Sequence, residues 1–366
     1  MPGYLSVNIR RYTTMSNKAI KFLLLLWAMV HCSPVFASAD EDSNGEVEND
    51  ADAERPPLLF YAEIEVEKSK HTTRLIGEND EVEQDGPIIS GNFIFDYLLN
   101  ETSILLLDYE VDVDEGLHGQ VEELYLATDL ESWALKLGRQ AIPFGQPDSE
   151  FINESVLEFA EFNKTAVLTS FDLGAGFTLA GYAFDSSVDT RDDDHQLDGG
   201  ALVSYSLENE SLYFGLGYMS DLAEVRDSLG DIDRNTVLPR TAGLDLQLFY
   251  AYADWGLIMG HVEALDSVTL LEKPFNKPSA TTLEVFYQPG NHWLLAGRIE
   301  HSRELEDFPE RQHSILVRYA VDQHLSFGLE YQSSQFDAGH SNDDDIEIDN
   351  VSVISLEVSI DLQSFR

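Results

Sequence analysis

The chain has 366 residues, with 22 Lys and Arg against 67 Asp and Glu, a formal net charge of −45, and one cysteine. This balance argues against nucleic-acid or phosphate-surface partners, because those require clustered Lys and Arg. A single cysteine also excludes a disulfide framework within the chain and a thiolate metal site.

The first 39 residues have the organisation of a secretory signal peptide. Lys18 and Lys21 precede an apolar run over Phe22–Val30, and the small residues Ala37-Ser38-Ala39 follow. A basic region, a short apolar region and a small-x-small site predict export with cleavage after Ala39. The alternative is a membrane anchor, but the run is shorter than the roughly 20 residues that a spanning helix requires. Cleavage leaves 18 basic residues against 67 acidic ones, a net charge of −49.

Residues 40–57 form the second predicted unit. Eight of the fifteen residues at 40–54 are acidic, and almost none is apolar. Such a segment cannot bury enough apolar surface to fold by itself, which predicts a disordered acidic periplasmic tail.

From Leu58 to Arg366 the pattern changes to alternation between apolar and polar residues. At the end of the chain Ile354, Leu356, Val358, Ile360 and Leu362 share one face, and polar residues occupy the other. A period of two residues indicates strands with two unlike faces. A soluble sandwich also alternates in this way, so the pattern alone leaves both architectures open.

The lengths of the connections favour one of the two. We predict sixteen strands, at 58–68, 88–99, 102–113, 119–130, 132–141, 164–173, 175–185, 197–207, 211–221, 240–253, 255–265, 280–288, 291–302, 311–321, 323–335 and 350–363. Tight turns and longer polar links alternate between them, which is typical of outer-membrane barrels. The predicted fold is therefore all-β, a porin-like transmembrane antiparallel β-barrel of about 16 strands over residues 58–366. A barrel of this size encloses a lumen wide enough for water.

The alternation also predicts which charged residues line that lumen. Carboxylates dominate the inward face, and basic residues are few. The acidic set is Glu63, Glu65, Asp96, Asp108, Glu110, Asp112, Asp245, Glu284, Glu300, Glu330, Glu357 and Asp361, and the basic set is Lys136, Arg298 and Arg318. Carboxylates around a pore raise the local concentration of cations. The alternative is that these side chains only hydrate the lumen.

The long link at 142–163 follows the fifth strand and differs from the other links. It begins with Pro143-Phe144-Gly145, contains several further apolar residues, and carries Glu150, Glu154, Glu158 and Glu161. The glutamate spacing predicts one face of a short helix. We expect this loop to pack its apolar side on the barrel wall, point its acids at the channel and narrow the pore. The alternative is an extracellular cap.

This loop and the strands beside it resemble the LbtU family of siderophore porins. The stretch runs from Leu137 to Phe184 and reads LGRQAIPFGQPDSEFINESVLEFAEFNKTAVLTSFDLGAGFTLAGYAF. Shared features are a strand ending in Gly138-Arg139, the Pro-Phe-Gly triplet, an acidic loop, a strand start at Lys164–Leu168 and the Gly176-Phe177 hairpin. The resemblance implies an outer-membrane pore for iron–siderophore or similar small polar solutes.

The predicted function is therefore a channel in the Gram-negative outer membrane for uptake of small polar solutes, with a ferric siderophore as the expected solute. A general cation-preferring diffusion porin and a structural outer-membrane barrel are the alternatives. An enzyme is not expected, because His195 and His340 stand beside acidic residues without a nucleophile motif. We expect no cofactor and no metal site. The expected partners are outer-membrane lipids, lipopolysaccharide and the barrel assembly machinery, with the oligomeric state open.

Overall fold

The computed structural model describes residues 58–76, 80–84, 86–113, 117–145, 149–153, 155–185, 197–207, 211–222, 241–265, 268–270, 273–275, 277–305, 308–336 and 348–363. The predicted signal peptide and acidic tail, residues 1–57, lie outside this set, as do His195 and His340. Glu154 of the long loop also lies outside it.

The described residues form strands almost throughout, with a single short helix among them. The strands are β1 (Leu58–Leu75), β2 (Glu81–Gln84), β3 (Ile88–Asn100), β4 (Ser103–Val113), β5 (Leu117–Leu130), β6 (Trp133–Ala141), β7 (Asn163–Gly174), β8 (Phe177–Asp185), β9 (Leu197–Ser206), β10 (Leu212–Met219), β11 (Gly243–Tyr252), β12 (Trp255–Ala264), β13 (Val268–Leu270), β14 (Lys273–Phe275), β15 (Ser279–Tyr287), β16 (Trp293–Arg303), β17 (Arg311–Ala320), β18 (Leu325–Gln335) and β19 (Ile348–Gln363). The 3₁₀ helix is η1 (Val156–Ala160).

Sixteen of these strands close into one antiparallel barrel, which confirms the predicted fold class. Each barrel strand pairs with the next along the chain, and β1 closes the sheet by pairing with β19. Strand β2 pairs only with the upper part of β1, and β13 pairs with β14 in a separate hairpin. Closure gives every barrel strand a partner on both sides, so the backbone hydrogen bonds are made within the sheet.

Strand β1 is longer than predicted. The prediction ended it at residue 68, whereas the structure continues it to Leu75, with Ser69 opposite Ser355 and His71 opposite Val353 on β19. Residues 68–74 are polar on both faces, so the alternation that revealed the lower part of the strand is missing from the upper part. The strand is held there by its backbone ladder rather than by an apolar face.

The two rims of the barrel differ as the connection lengths predicted. Two-residue turns at 101–102, 131–132, 175–176 and 253–254 join strands at one rim. Glu131, Ala175 and Ala253 adopt positive φ values of 29°, 53° and 53° there. Tight hairpins require such left-handed residues because their twist then matches that of the strands. The longer links, including the one from β6 to β7, leave from the opposite rim.

The two faces of the sheet separate apolar from polar residues, as strand β16 illustrates. Trp293, Leu295 and Ile299 are exposed on its outer side, while Arg298 and Glu300 are buried on its inner side. Aromatic pairs line the outside of the short-turn rim, with ring centroids 4.5 Å apart for Trp255–Tyr287 and 4.7 Å apart for Trp293–Tyr319. An outer apolar band with an aromatic girdle suits a barrel surrounded by lipid. Among the described residues, no helix is both long and apolar enough to cross a membrane.

Candidate pore constriction

The link between β6 and β7 lies inside the barrel. Its residues Ile142, Phe144, Val156, Leu157, Phe159 and Ala160 are buried with inward-facing residues of the wall, namely Ala166, Tyr182, Phe184, Met219, Val262, Ala264 and Ala280. A fully buried Phe or Leu side chain contributes roughly 1.5–3 kcal/mol, so this cluster holds the loop firmly against β7, β8, β12 and β15. We call residues 142–162 the inner loop. Its apolar residues pack on the barrel wall.

The helical part of the inner loop is shorter than the glutamate spacing predicted. Helix η1 covers five residues and is capped by Ser155, whose hydroxyl oxygen accepts a hydrogen bond of 3.2 Å from the backbone N–H of Leu157. Glu158 lies within η1, Glu161 follows it, and Glu150 lies in the non-helical segment before it. These three glutamates therefore do not form the predicted face of one helix, because the backbone before η1 is hydrogen-bonded to the barrel wall instead.

The Pro-Phe-Gly triplet positions the start of the inner loop. Phe144 is fully buried, and Gly145 has a φ of 74°. A Cβ at Gly145 would lie 2.5 Å from the Cβ of Ala160, the last residue of η1. The contact requires glycine both for its left-handed backbone and for the close approach. Asp245 of β11, predicted to line the lumen, is buried, and one of its carboxylate oxygens accepts a hydrogen bond of 2.7 Å from the side-chain amide of Gln247.

Two glutamates of the far wall accept hydrogen bonds from the inner loop. The Glu330 carboxylate on β18 accepts the backbone N–H groups of Ile152 at 2.7 Å and Asn153 at 2.9 Å. The Glu284 carboxylate on β15 accepts the Ser149 hydroxyl at 2.6 Å. Hydrogen bonds to an ionised acceptor are about twice as strong as neutral ones. The loop therefore crosses the lumen from β6 and is attached to the opposite wall.

Glu300 of β16 makes the third attachment. One carboxylate oxygen accepts the Ser155 hydroxyl at 2.6 Å and the Val156 backbone N–H at 3.0 Å. The other oxygen accepts the side-chain amide of Gln312 at 2.6 Å. Glu300 thus holds the N-terminus of η1, where a negative charge is also favoured by the orientation of the peptide dipoles.

Arg298 of β16 neutralises part of the negative charge of Glu284, Glu300 and Glu330. The Arg298 Nε lies 2.9 Å from a Glu300 oxygen, and its two terminal nitrogens lie 3.8 Å from oxygens of Glu284 and Glu330. The Arg298 side chain is 0% exposed. One guanidinium is thus shared by three carboxyl groups, and the loop supplies N–H and O–H donors to their buried oxygens.

Arg298 also contacts the inner loop directly. Its Nη2 donates a hydrogen bond of 2.8 Å to the Asn153 carbonyl oxygen, and its Nη1 donates one of 3.3 Å to the Ser149 hydroxyl. The guanidinium carbon lies 4.5 Å from the centroid of the Phe151 ring, in cation–π geometry. Glu284, Arg298 and Glu330, predicted to line the lumen, are buried beneath the loop, which separates them from the open lumen.

Arg318 of β17 stands at the edge of the loop and keeps contact with the lumen. Its side chain is 27% exposed, and its terminal nitrogens lie 3.6 Å from Glu150 and 3.5 Å from Glu357. Gly328 separates Arg318 from Glu357 in the ladder, and its missing side chain leaves room for this pair and for Ile152. Arg318 therefore links an acid of the inner loop to an acid of the wall.

The wall across the lumen carries the remaining predicted lining residues. Asp108 and Glu110 lie half-buried on the inner face of β4, and Glu110 accepts a hydrogen bond of 3.1 Å from Gln120. Lys136 of β6 lies with its Nζ 4.7 Å from the centroid of the Tyr125 ring. Among the predicted lining residues on this side of the lumen, Asp108 and Glu110 are acidic and Lys136 is basic.

Sequence reasoning missed several residues that hold the loop. Ser149, Asn153, Ser155 and Gln312 were not singled out, although each contributes a hydrogen bond to the buried charges. A serine directly before an apolar run is a recognisable N-cap signal, so Ser155 could have been found. Ser149 and Asn153 carry no local signal, because their partners are on strands far away in the sequence. Gln312 donates to Glu300 directly opposite it on the neighbouring strand, a pairing that only the strand register reveals.

Comparison with known structures agrees with this architecture. OmpF of Salmonella typhi, solved in complex with daunomycin, matches with a TM-score of 0.57 and 10% identity over 83% of this chain and 97% of that one. The chain has the fold of an outer-membrane porin. The outer-membrane channel DcaP of Acinetobacter baumannii matches with a TM-score of 0.56, 10% identity and coverage of 83% and 96%. An anion-selective porin from Comamonas acidovorans matches with a TM-score of 0.56, 8% identity and coverage of 83% and 99%.

Sequence comparison adds no family. No family model matches the chain, and no curated protein matches it. At the low identities of the structural matches, the likeness concerns the fold alone. The LbtU siderophore-porin family is therefore not confirmed and stays a prediction.

Proposed function

We propose that this protein is a porin of the Gram-negative outer membrane that conducts small polar solutes through a constricted lumen. The observation that carries the proposal is the inner loop, which lies within the closed barrel and is hydrogen-bonded to the opposite wall by Glu284, Glu300 and Glu330. A loop held in this way reduces the open cross-section without closing a barrel of sixteen strands. The role is passage rather than catalysis, because the buried charges at the loop are engaged in holding it.

We further propose a preference for cations. Asp108, Glu110 and Glu65 are lining carboxylates that do not bind the inner loop. Arg298 is enclosed by three glutamates and contributes no excess positive charge. A lumen with excess negative charge concentrates cations and repels anions. The structural match from Comamonas is an anion-selective porin, and the charge of this lumen favours the opposite selectivity.

Planar-bilayer recording tests both statements. The purified, folded protein is expected to insert with stepwise increases in conductance, and a KCl gradient is expected to give a reversal potential of the cation-selective sign. A structural barrel would give no steps at any voltage, which would refute the porin proposal. Conductance with anion selectivity would refute the cation preference alone.

The finer proposal is that the solute is an iron–siderophore complex, and its support is the resemblance of the Leu137–Phe184 stretch to the siderophore porins. The acidic lumen favours siderophore complexes that carry no net negative charge. The test is uptake of labelled ferric siderophore by a deletion strain under iron limitation. Uptake at the wild-type rate would contradict this proposal, and reduced uptake restored by the plasmid-borne gene would support it.

A further inference from the structure

The upper part of β1 carries three basic side chains on the outer face of the barrel. Lys68, Lys70 and Arg74 are all exposed, and the alternation along the strand places them on one side. In the ladder with β19, Lys68 lies opposite Leu356. Lys70 lies opposite Ile354, and both apolar partners are exposed on the outer face. Since opposite residues of a ladder share a face, the three basic residues face the surroundings of the barrel and not its lumen. We call these three residues the basic row.

The basic row begins where the apolar outer band of β1 ends. The outward residues from Leu58 to Val66 are all apolar, and they extend over about 26 Å of strand at roughly 3.3 Å per residue. A strand tilt of about 40° reduces this length to about 20 Å across the membrane, close to the apolar band of roughly 25 Å that barrels present to lipid. Lys68 is the first outward residue beyond this band, on the side of the long links. The long links of an outer-membrane barrel are extracellular, so the basic row lies at the level of the outer-leaflet headgroups.

The positive charge of the basic row is not neutralised by the described part of the chain. None of its three residues forms an ion pair there, whereas Arg303 and Arg311, which also face outward at this rim, each lie 3.5 Å from a neighbouring glutamate. Strand β2 runs beside the row, but its register pairs Glu81 and Glu83 with inward-facing positions of β1. The row therefore presents three positive charges to a partner outside the barrel.

We propose that the basic row binds the phosphate groups of lipid A, the membrane anchor of lipopolysaccharide in the outer leaflet. Lys68 and Lys70 bind a phosphate of lipid A, because ammonium groups form charge-assisted hydrogen bonds with phosphate oxygens. Arg74 lies farther from the membrane, where the sugars of the same molecule continue. The acyl chains pack on the exposed side chains of Leu356 and Ile354. The inference rests on the outer-membrane location in the proposed function and not on conduction.

The length of the basic row favours a lipid with more than one phosphate. From Lys68 to Arg74 the row extends over about 20 Å of strand at roughly 3.3 Å per residue. The two phosphates of lipid A are at opposite ends of a disaccharide, so they can contact different parts of the row. A phospholipid with one phosphate, such as phosphatidylglycerol, leaves part of the row without an anion and is expected to bind more weakly.

Native mass spectrometry of the folded protein in detergent tests this assignment. Titration with diphosphorylated lipid A is expected to give a saturable adduct. Lipid A without its phosphates and phosphatidylglycerol are both expected to bind at least about tenfold more weakly, because they offer fewer charges to the row. No adduct with lipid A overturns the proposal, and so does equal binding of the dephosphorylated lipid, which would show acyl-chain contact alone. Equal binding of phosphatidylglycerol, or displacement of lipid A by inorganic phosphate, overturns the assignment to lipid A.

A matched pair of double variants locates the site. Lys68→Gln combined with Lys70→Gln is expected to lower the affinity for lipid A about twentyfold, because each basic residue near a lipid phosphate contributes roughly a factor of five. Arg303→Gln combined with Arg311→Gln removes two outward charges of the same rim that already have glutamate partners, and is expected to leave the affinity unchanged. Equal losses in the two double variants contradict the assignment. If the lysine variant does not fold, Arg74→Gln replaces it, with an expected loss of about fivefold.

Bilayer recording on the same proteins separates this inference from the porin proposal. Both double variants change outward residues only and are expected to conduct like the wild type. Conductance of the wild type without a lipid A adduct refutes the basic row as a lipid site and leaves the porin intact. A lipid A adduct without any conductance refutes the porin and leaves the lipid site. Normal conductance of both variants, with lipid A binding lost only in the lysine variant, supports both.

Discussion

Replacement of Arg298 by methionine is expected to release the inner loop. The change keeps an unbranched apolar chain but removes the only cation within 4 Å of Glu284, Glu300 and Glu330 in the described part of the barrel. Removing one partner from a buried ion pair costs about 3–5 kcal/mol. The hydrogen bond from Arg298 to the Asn153 carbonyl is lost as well. The backbone ladder of the barrel does not depend on this side chain, so the cost falls on the docked loop.

Single-channel conductance measures this release. A loss of about 3 kcal/mol raises the undocked population of a two-state loop on the order of a hundredfold. We therefore expect Arg298→Met to show a higher mean conductance and frequent transitions between two current levels. Arg298→Lys is expected to behave similarly, because an ammonium cannot contact three carboxylates in the fixed geometry of a guanidinium.

Arg303 provides the matched control on the same strand. It is 62% exposed on the outer face and lies 3.5 Å from Glu304, so its pair contributes about 0–1 kcal/mol. Arg303→Met is expected to conduct like the wild type. Indistinguishable currents from the Arg298→Met and Arg303→Met variants would refute the reasoning. Adding Glu330→Gln to Arg298→Met should recover part of the loss, because it removes one uncompensated charge and keeps an oxygen for the loop N–H groups.

Three further predictions concern the loop, the selectivity and the girdle. Gly145→Ala should destabilise the docked loop and raise current noise, whereas Gly290→Ala, with a similar φ of 73° and open space around it, should leave the current unchanged. Equal noise in both would contradict the packing argument. Arg318→Gln removes a lumen cation and should shift the reversal potential toward greater cation selectivity; an opposite shift would count against the charge assignment. Trp293→Ala should lower the free energy of unfolding in vesicles by at least about 1 kcal/mol through the lost Tyr319 contact, measured by urea titration.

The fold could be predicted because the bilayer imposes a pattern on every strand. Lipid requires one apolar face, so Trp293, Leu295 and Ile299 alternate with buried neighbours in the sequence as well as in the structure. The same reasoning explains the missed end of β1. After residue 68 the strand no longer has an apolar outer face, and only its pairing with β19 shows that the strand continues.

The site was predictable in part, and the missing part has a physical reason. Alternation identifies the inward face of a strand but not the depth at which a loop covers it. Asn153 hydrogen-bonds to Arg298 and Glu330, which are 145 and 177 positions away in the sequence. No local pattern encodes a contact over that separation. The glutamate spacing of the loop favoured a longer helix, but the wall carboxylates bind the backbone N–H groups that such a helix would use.

The arrangement of charge explains how an acidic loop lies against an acidic wall. The loop presents backbone N–H groups and serine hydroxyls to Glu284, Glu300 and Glu330, and not its own carboxylates. Arg298 and Arg318 lie on β16 and β17, where the loop is attached, but each is within 4 Å of two or three glutamates, so neither adds excess positive charge to the lumen. The wall at β4 keeps its carboxylates without an arginine. Both sides of the constriction therefore carry more carboxylates than basic groups among the described residues, which agrees with the proposed preference for cations.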